Sequence, residues 1–391
     1  MQCIAAWVLT LMKTTLIATQ LFDGHQIRFD QPITFDDGRV HSLDTVSGAK
    51  EIRVNGLLAP GFIDCQVNGG GGALFNQQPT VGTLKAMMHA HAQFGTTSLL
   101  PTVISSDLGL AITAADAVTS ARESIPGILG IHFEGPHLND IRKGIHNQQV
   151  LRPMLASELA LYQRQDLGQV LVTIAPEVVS ASSIEALTAK GVVVSLGHTN
   201  ATYQQAIQAL AAGATGFTHL FNAMSQLGSR EPGVVGAAFA DEESWCGLIA
   251  DGHHVHPASA RIALKQKTRG KVFLVTDAMW TPGSKEKSFQ FETHQIALHG
   301  DKLLSHTGQL AGAAISMIDA VNNCITLFQL DVSEALRMAS LYPAQFLGQQ
   351  NVMGAFFEGA YADCVLLSLP EHGALTVKNT WLRGQSLAIN Y

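Results

Sequence analysis

Four residues that can bind a metal ion or exchange a proton follow apolar segments typical of β-strands. Glu134 closes the segment IHFE, His198 follows VVVSLG, His219 lies in GFTHLF, and Asp277 follows VFLVT. One carboxylate and two imidazoles can hold a divalent ion and leave a coordination position open for water, which is typical of catalytic rather than structural sites. The second carboxylate, Asp277, is then free to act as a base. The pattern predicts one hydrolytic metal centre.

The elements that must position these residues are eight apolar strand candidates, which alternate with amphipathic helical stretches. The candidates span residues 61–67, 97–103, 128–133, 170–175, 192–196, 216–219, 247–250 and 272–276. Such alternation predicts an α/β fold, and eight units match a (β/α)8 TIM barrel. The four residues then close predicted strands three, five, six and eight, and barrel closure brings those strand ends together.

Other interpretations of these features stay open on the sequence alone. An open doubly wound sheet needs a glycine loop after its first strand, but residues 68–72 lack the GxGxxG pattern that leads into a helix. A structural role would make Glu134 and Asp277 helix N-caps after their strands. A lone histidine is weak evidence, and His89 and His91 lie two apart in a helical stretch, so they face different ways and receive no ligand role.

The chain ends carry short alternating apolar segments broken by turns. Residues 13–57 contain Asp-Gly turns at 23–24 and 37–38, which are typical of antiparallel hairpins. Short strand candidates return in 360–367 and 374–387. We therefore predict a small β-sandwich subdomain formed by both ends, residues 1–58 and 359–391, beside a barrel domain of residues 59–358.

Composition and charge exclude several classes of function. The chain has 391 residues, of which 47% are hydrophobic, and a formal net charge of -7 with both signs interspersed. It carries no basic stripe, so we exclude nucleic acid as a partner. The five cysteines are odd in number and lie mostly in apolar segments, which indicates reduced core residues of a cytoplasmic protein.

The apolar run at residues 3–11 invites comparison with a signal peptide. No basic residue precedes it, no small-residue cleavage site follows it, and it is too short to cross a bilayer. Met12 offers an alternative start. We expect neither export nor membrane contact, and we interpret the first eleven residues as an extension or a disordered arm.

Longer segments around these residues resemble the N-acetylglucosamine-6-phosphate deacetylase family of the amidohydrolase superfamily. The similar segments are APGFID (59–64), HFEGP (132–136), KGIHN (143–147), GHTNA (197–201), THLFNAM (218–224), ADGHH (250–254) and VTDA (275–278). They run from predicted strand one to strand eight, and the terminal β-subdomain is also expected of the family. The resemblance implies a deacetylase acting on a phosphorylated N-acetyl-hexosamine.

The chain departs from the wider superfamily at predicted strand one, where many relatives carry His-x-His. Gln66 and Asn68 stand there, and although residues two apart on a strand share a face, neutral amides are poor metal ligands. The chain resembles the branch of the family with Gln-x-Asn and one metal. Predicted strand four ends in TIAPE (173–177), without the lysine that dinuclear relatives carbamylate. We expect one divalent ion per subunit, with zinc first and iron, cobalt, nickel or cadmium as alternatives.

Residue by residue, the resemblance implies that Glu134, His198 and His219 hold the metal ion. Asp277 accepts a proton from the attacking water, whose pKa the metal lowers, and donates it to the departing amine. His146 contacts the substrate and stabilises the tetrahedral oxyanion, where an aimed donor contributes roughly 3 kcal/mol. The alternative for His146 is a solvent-exposed loop histidine.

A substrate phosphate needs cationic and amide donors at the barrel mouth. The resemblance assigns Arg230 and His254 to it, with amide groups from Asn222 and Ala223, and the planar donor fork of arginine suits phosphate. In relatives the matching arginine reaches across a dimer interface, so a homodimer is implied. The alternative for Arg230 is a surface residue paired with Glu231.

The segment Leu310-Ala311-Gly312 resembles the part of the family that lines the sugar pocket. The family usually follows it with serine. This chain has Ala313 instead, which argues against a direct side-chain contact at that position.

The leading hypothesis is deacetylation of N-acetylglucosamine 6-phosphate in amino-sugar catabolism. The galacto epimer is a close alternative, because a single hydroxyl orientation depends on loop residues that the sequence does not place. A D-aminoacylase-like amidohydrolase and a non-catalytic barrel that serves as a binding module are further alternatives. Asp277 beside three ligands argues against the silent barrel, and Arg230 with His254 argues for a phosphorylated substrate.

Overall fold

The computed structural model describes residues 13–291, 294–369 and 373–387. The predicted N-terminal extension and Cys3 lie outside these ranges. The strands in chain order are β1 (Thr14–Phe22), β2 (Ile27–Phe29), β3 (Pro32–Asp36), β4 (Arg39–Ser42), β5 (Lys50–Pro60), β6 (Phe62–Val67), β7 (Gly69–Gly70), β8 (Ala73–Leu74), β9 (Thr96–Ile104), β10 (Gly130–Glu134), β11 (Gln169–Ile174), β12 (Val193–Leu196), β13 (Gly216–Phe217), β14 (Trp245–Ile249), β15 (Val272–Val275), β16 (Ser288–Phe291), β17 (His294–His299), β18 (Lys302–Ser305), β19 (Cys364–Leu367), β20 (Val377–Leu382) and β21 (Gln385–Leu387).

The α-helices lie mainly between the strands of the barrel. In chain order they are α1 (Val81–Ala92), α2 (Leu108–Arg122), α3 (Ala156–Tyr162), α4 (Ala181–Thr188), α5 (Tyr203–Ala211), α6 (Gly233–Ala240), α7 (Pro257–Gln266), α8 (Met317–Thr326), α9 (Val332–Ala339) and α10 (Leu341–Phe346). Several begin directly after a residue whose side chain accepts a hydrogen bond from the N–H of the third helical residue. These N-cap residues are Thr80, Asp107, Ser180, Thr202 and Asp331. Such caps satisfy amides that the helix leaves free, so they fix where each loop ends.

Eight parallel strands form the central sheet, in the order β6-β9-β10-β11-β12-β13-β14-β15. Each overlaps one of the eight predicted segments. Every residue of β6 and β9 is buried, as expected of parallel strands covered on both faces. The sheet closes on itself where the Asp277 N–H donates to Gln66 O at 3.0 Å and Val67 pairs with Ala278. The predicted TIM barrel is confirmed.

Both chain ends build a second sheet, in the order β21-β20-β19-β5-β1-β3-β4 with β2 beside β1. The turns in residues 13–57 predicted a small antiparallel pattern, and this is wrong for β1 and β5, which run parallel with Thr14 opposite Lys50. The β3–β4 hairpin occupies one edge of β1. The next strand, β5, therefore pairs with the other edge of β1, where it runs in the same direction. Only Gly61 separates β5 from the first barrel strand.

A three-stranded antiparallel sheet of β16, β17 and β18 lies between the last barrel strand and α8, and the sequence analysis did not predict it. Trp280 stacks on Phe289 of this sheet with ring centroids 5.2 Å apart. Leu304 then bridges to Leu310, and the Ala313 N–H donates to Asp277 O at 2.9 Å. The insertion therefore returns the chain to the barrel mouth.

Four cysteines, Cys65, Cys246, Cys324 and Cys364, are buried free thiols, which agrees with the prediction of reduced core residues. Among the helices that the structure describes, none has both the length and the apolar character needed to cross a membrane.

Asp64 is a carboxylate buried in the barrel closure. Its Oδ2 accepts a hydrogen bond from Thr276 Oγ1 at 2.5 Å, and its Oδ1 accepts from the N–H groups of Thr276 and Gln66, both at 3.2 Å. Burial raises the pKa of Asp64 from 3.8 to about 7, because surroundings without water disfavour the ionised form.

Since the folded-state pKa of Asp64 lies above its unfolded value, its stabilising protonated form is lost as the pH rises through about 7. Asp64→Asn can keep these contacts without a charge. We expect its free energy of unfolding, relative to that of wild type, to increase by about 1 kcal/mol or more as the pH is raised from 5 to 8. Chemical denaturation at each pH measures the difference. Glu242→Gln, at an exposed position, is the control and should follow wild type. A difference that does not change with pH would contradict the prediction.

Candidate metal centre at the barrel mouth

Glu134, His198 and His219 lie together at the C-terminal ends of β10, β12 and β13. One ligand atom from each lies within 4.8 Å of the other two. Glu134 Oε1 is 3.3 Å from His198 Nε2 and 3.2 Å from His219 Nε2, and the two nitrogens are 3.0 Å apart. All three residues are at most 6% exposed. The barrel thus brings together three residues from separate strand ends.

The chemistry of this donor set fits a divalent ion. His198 Nδ1 lies 2.9 Å from Arg142 O. Since a carbonyl oxygen only accepts, Nδ1 carries the proton and Nε2 presents its lone pair toward the other two ligands. His219 also directs Nε2 to the same carboxylate oxygen. Two imidazole nitrogens and a carboxylate oxygen are a ligand set used by catalytic zinc.

Left-handed backbone conformation marks the loops that carry the site. φ is +47° at His198, +35° at His219 and +50° at Asp277, and the loop after β13 adds Phe221 at +78° and Ala223 at +51°. This conformation costs a non-glycine residue roughly 1–2 kcal/mol, and strained residues concentrate at functional sites. Three of the four residues singled out by chemical type therefore also stand out by backbone geometry.

Asp277 lies beside the ligand set and is held by two amides. Asn68 Nδ2 donates to Asp277 Oδ1 at 2.7 Å, and Gln66 Nε2 donates to the same oxygen at 3.2 Å and to Glu134 Oε1 at 2.9 Å. Burial, and then the charge of Glu134, raise the pKa of Asp277 to about 6. Such a carboxylate is a stronger base than usual but is still ionised at neutral pH. No described helix begins at Glu134 or Asp277, so the N-cap interpretation is wrong.

His146 is buried at the same mouth, so the exposed-loop interpretation of this residue is also wrong. It is 3% exposed, and its Nε2 lies 3.9 Å from Glu134 Oε2. Ser105 Oγ lies 2.7 Å from His146 Nδ1. Burial, and then the charge of His198, hold the pKa of His146 well below its usual range, so the ring is neutral. No sequence signal distinguished Ser105 from other serines.

The three candidate ligands, together with Asp277 and His146, line a cleft of about 320 Å³, a size that suits a small ligand. The other predicted site residues in its lining are Asn222, Ala223, His254, Leu310 and Gly312. The Asn222 N–H and its Nδ2 donate to His219 O at 3.0 and 3.1 Å, so part of its donor capacity holds the loop after β13 in place.

Ala311 and Gly312 have different surroundings. Ala311 is fully buried and packs in the apolar cluster with Trp280, so the structure places it behind the cleft lining. At Gly312, φ is +61° and an added Cβ would lie 2.6 Å from Met279 Cγ and 3.0 Å from Asp277 O. Only glycine allows the chain to approach Asp277 so closely.

His254 and Arg230 occupy contrasting positions. His254 lines the cleft, and its Nδ1 lies 2.6 Å from Asp251 Oδ2, which orients the ring. Arg230 lies on the exposed stretch 226–231, away from the cleft lining of its own chain. The Glu231 carboxylate accepts the Tyr203 N–H at 2.7 Å.

His91 has a supporting contact that the sequence analysis missed. It is fully buried, and its Nε2 lies 2.8 Å from Gly69 O, in the turn that follows Asn68. Burial lowers the pKa of His91 to about 4, so the ring is neutral and donates to this carbonyl. An apolar helix face around a single histidine gives no sign of such a partner.

Comparison with known proteins gives a consistent result. The sequence profile of the amidohydrolase family matches residues 57–387. The chain is 48% identical over 334 residues to the N-acetylgalactosamine-6-phosphate deacetylase of Shewanella sp. (strain ANA-3), covering 85% of this chain and 84% of that protein. It is 31% identical over 378 residues to the N-acetylglucosamine-6-phosphate deacetylase of Vibrio furnissii, covering 94% and 93%. The crystal structure of N-acetylglucosamine-6-phosphate deacetylase from Pasteurella multocida superimposes with a TM-score of 0.91 at 32% identity, over 96% of this chain and 100% of that one.

We expect the purified protein to bind one divalent ion tightly per chain, through Glu134, His198 and His219. Glu134→Gln should weaken Zn²⁺ binding about 100-fold or more, because a neutral amide replaces the anionic ligand. Elemental analysis gives the number of ions, and competition with a chelator gives the dissociation constant. His89→Ala, which removes an exposed histidine from α1, is the matched control. Two tightly held ions per chain, or unchanged affinity in Glu134→Gln, would refute this assignment.

Proposed function

The chain belongs to the amidohydrolase family, and from that premise we propose that it hydrolyses the acetamide of an N-acetylhexosamine 6-phosphate. The observation that carries the proposal is that Glu134, His198 and His219 share one cleft with a second carboxylate, Asp277. This combination supports metal-assisted hydrolysis. The relatives described above are named as deacetylases of two such phosphorylated sugars, which supports the same reaction class.

The protein side chains divide the chemistry between them. A divalent ion, zinc first, held by Glu134, His198 and His219 would supply a Lewis acid that acidifies water and polarises a carbonyl. Asp277 accepts a proton from the water that adds to the acetyl carbon. When the C–N bond breaks, Asp277 returns that proton to the departing nitrogen, and acetate and the free amine remain.

Oxyanion stabilisation falls to His146. The Ser105 hydroxyl lies 2.7 Å from His146 Nδ1 and 3.4 Å from Glu134 O, and the proposed role of His146 requires the hydroxyl to donate to Nδ1. His146 Nδ1 then accepts, and Nε2 carries the ring proton. In this tautomer Nε2–H can donate to the substrate oxygen as negative charge develops on it.

The phosphate site combines two subunits of a homodimer. His254, Asn222 and Ala223 line the cleft and offer imidazole and amide donors within one chain. Arg230 is exposed and away from its own cleft, a position that suits a contact to the cleft of a second subunit. The cytoplasmic location expected from the cysteines accompanies this proposal.

The preferred substrate within this class is the galacto epimer. The supporting observation is the 48% identity to a protein named N-acetylgalactosamine-6-phosphate deacetylase, against 31–36% to proteins named for the gluco substrate. The gluco epimer, which was the leading hypothesis from the sequence, stays the second candidate because the similar Pasteurella multocida structure carries that name. The two sugars differ only in one hydroxyl orientation, so the chemistry above serves both.

A substrate panel tests the function and the epimer together. We expect the highest kcat/KM on N-acetylgalactosamine 6-phosphate, a lower value on the gluco epimer, and much lower values on both unphosphorylated sugars. Arg230→Ala should lower kcat/KM on the phosphorylated sugars roughly 30-fold, a loss of about 2 kcal/mol of transition-state stabilisation. It should barely affect kcat/KM on the unphosphorylated sugars. Release of free amine is the readout. Activity on N-acyl amino acids alone would refute the proposal, and equal loss on both kinds of sugar would remove Arg230 from the phosphate site.

Asp277→Asn should keep the metal and the fold while kcat falls about 100-fold or more, because an amide cannot accept the proton. Single-turnover kinetics on metal-replete protein measures this, with metal content and thermal unfolding as controls. Near-normal turnover in the metal-loaded variant would exclude Asp277 as the base.

A further inference from the structure

Glu177 lies on the loop after β11, where neither the ligand set nor the proposed substrate contacts use it. Its carboxylate reaches the neighbouring loop that carries His198. Oε2 accepts a hydrogen bond from Thr199 Oγ1 at 2.5 Å, and Oε1 accepts from the Asn200 N–H at 2.7 Å. The two bonds, to a side chain and to the backbone, hold neighbouring residues of that loop. The two residues that follow His198 are therefore fixed from the adjacent strand end.

His198 needs such support because its backbone is strained. Its φ of +47° lies in the left-handed region, which a residue with a side chain adopts only when surrounding contacts impose it. The turn has further anchors, since the Thr199 N–H donates to Ala223 O at 3.0 Å and the Ala201 N–H donates to Thr199 Oγ1 at 3.0 Å. Thr199 Oγ1 thus joins the turn to Glu177.

A second set of contacts joins the same turn to the imidazole itself. Asn200 Oδ1 accepts from Arg142 Nε at 3.1 Å, and Arg142 O accepts from His198 Nδ1 at 2.9 Å. Because His198 Nδ1 donates its proton to Arg142 O, the lone pair of His198 Nε2 stays free for a metal ion. Glu177, through Asn200 and Arg142, is connected to both the backbone and the ring of this residue.

We propose that Glu177 is a positioning residue for the metal ligand His198: its carboxylate holds the Thr199–Asn200 turn so that His198 Nε2 meets Glu134 and His219. The proposal rests on the proposed function only in taking a metal ion as what His198 binds. It does not depend on which sugar is the substrate, so metal affinity tests it directly.

The test measures the Zn²⁺ dissociation constant of the full-length protein by chelator competition. Glu177→Ala should weaken binding about 10- to 100-fold, the usual effect of removing a group that orients a ligand. Glu177→Gln should stay within about threefold of wild type, because its Oε1 can accept from the Asn200 N–H while its Nε2 donates to Thr199 Oγ1. The matched control is Glu185→Ala, which removes an exposed glutamate from α4, the helix that follows the Glu177 loop. This variant should bind Zn²⁺ as wild type does.

Thermal unfolding of the metal-free variants separates positioning from general destabilisation. Metal-free Glu177→Ala should unfold within a few degrees of metal-free wild type while its Zn²⁺ affinity falls. If Glu177→Ala fails to fold, Thr199→Val removes the hydroxyl bond to Glu177 together with the acceptor of the Ala201 N–H, and it should weaken binding at least threefold. Wild-type Zn²⁺ affinity in folded Glu177→Ala, or in Thr199→Val where it replaces that variant, would overturn the proposal. Equal loss of affinity in Glu177→Gln and Glu177→Ala would also overturn it. Absence of Zn²⁺ binding in wild type would instead refute the proposed function.

Discussion

The burial of the Glu134 carboxylate is the constraint on which the rest of the site depends. At 3% exposure this group is largely withdrawn from solvent, and an uncompensated buried charge costs several kcal/mol. Gln66 Nε2, His198 Nε2 and His219 Nε2 all lie within 3.3 Å of its Oε1. Burial alone would raise the pKa of Glu134, and the two histidines reverse that effect and hold it well below the usual range. A buried carboxylate that its neighbours keep ionised is a strong ligand for a cation.

Three residues around Glu134 have strained backbone, and contacts across the closed barrel maintain it. His198, His219 and Asp277 leave their strands in left-handed conformations, and hydrogen bonds from neighbouring segments hold each region. The Asp277 N–H donates to Gln66 O across the barrel closure, and the Ala313 N–H donates to Asp277 O from the insertion. The closed sheet is therefore more than a scaffold, because its closure passes directly through the residue proposed as the base.

Physical reasons separate what the sequence predicted from what it missed. Buried parallel strands are short apolar runs, so the sequence pattern located all eight, and their ends marked Glu134, His198, His219 and Asp277 as candidate site residues. The parallel pairing of β1 with β5 and the β16–β18 insertion depend on contacts distant in sequence, which local alternation cannot encode. The partners Ser105 and Glu177 are common polar residues whose roles arise only when two loops meet.

Gln66 and Asn68 lie on one strand face and show how amides can hold two buried carboxylates. A carboxylate oxygen only accepts hydrogen bonds, so an amide that faces Asp277 or Glu134 must present its N–H rather than its oxygen. Gln66 Nε2 donates both to Glu134 Oε1 at 2.9 Å and to Asp277 Oδ1 at 3.2 Å, so this one amide joins the two carboxylates. Asn68 Nδ2 adds a shorter bond of 2.7 Å to the same oxygen of Asp277. The first barrel strand therefore uses two neutral donors to fix the carboxylate that is proposed as the base.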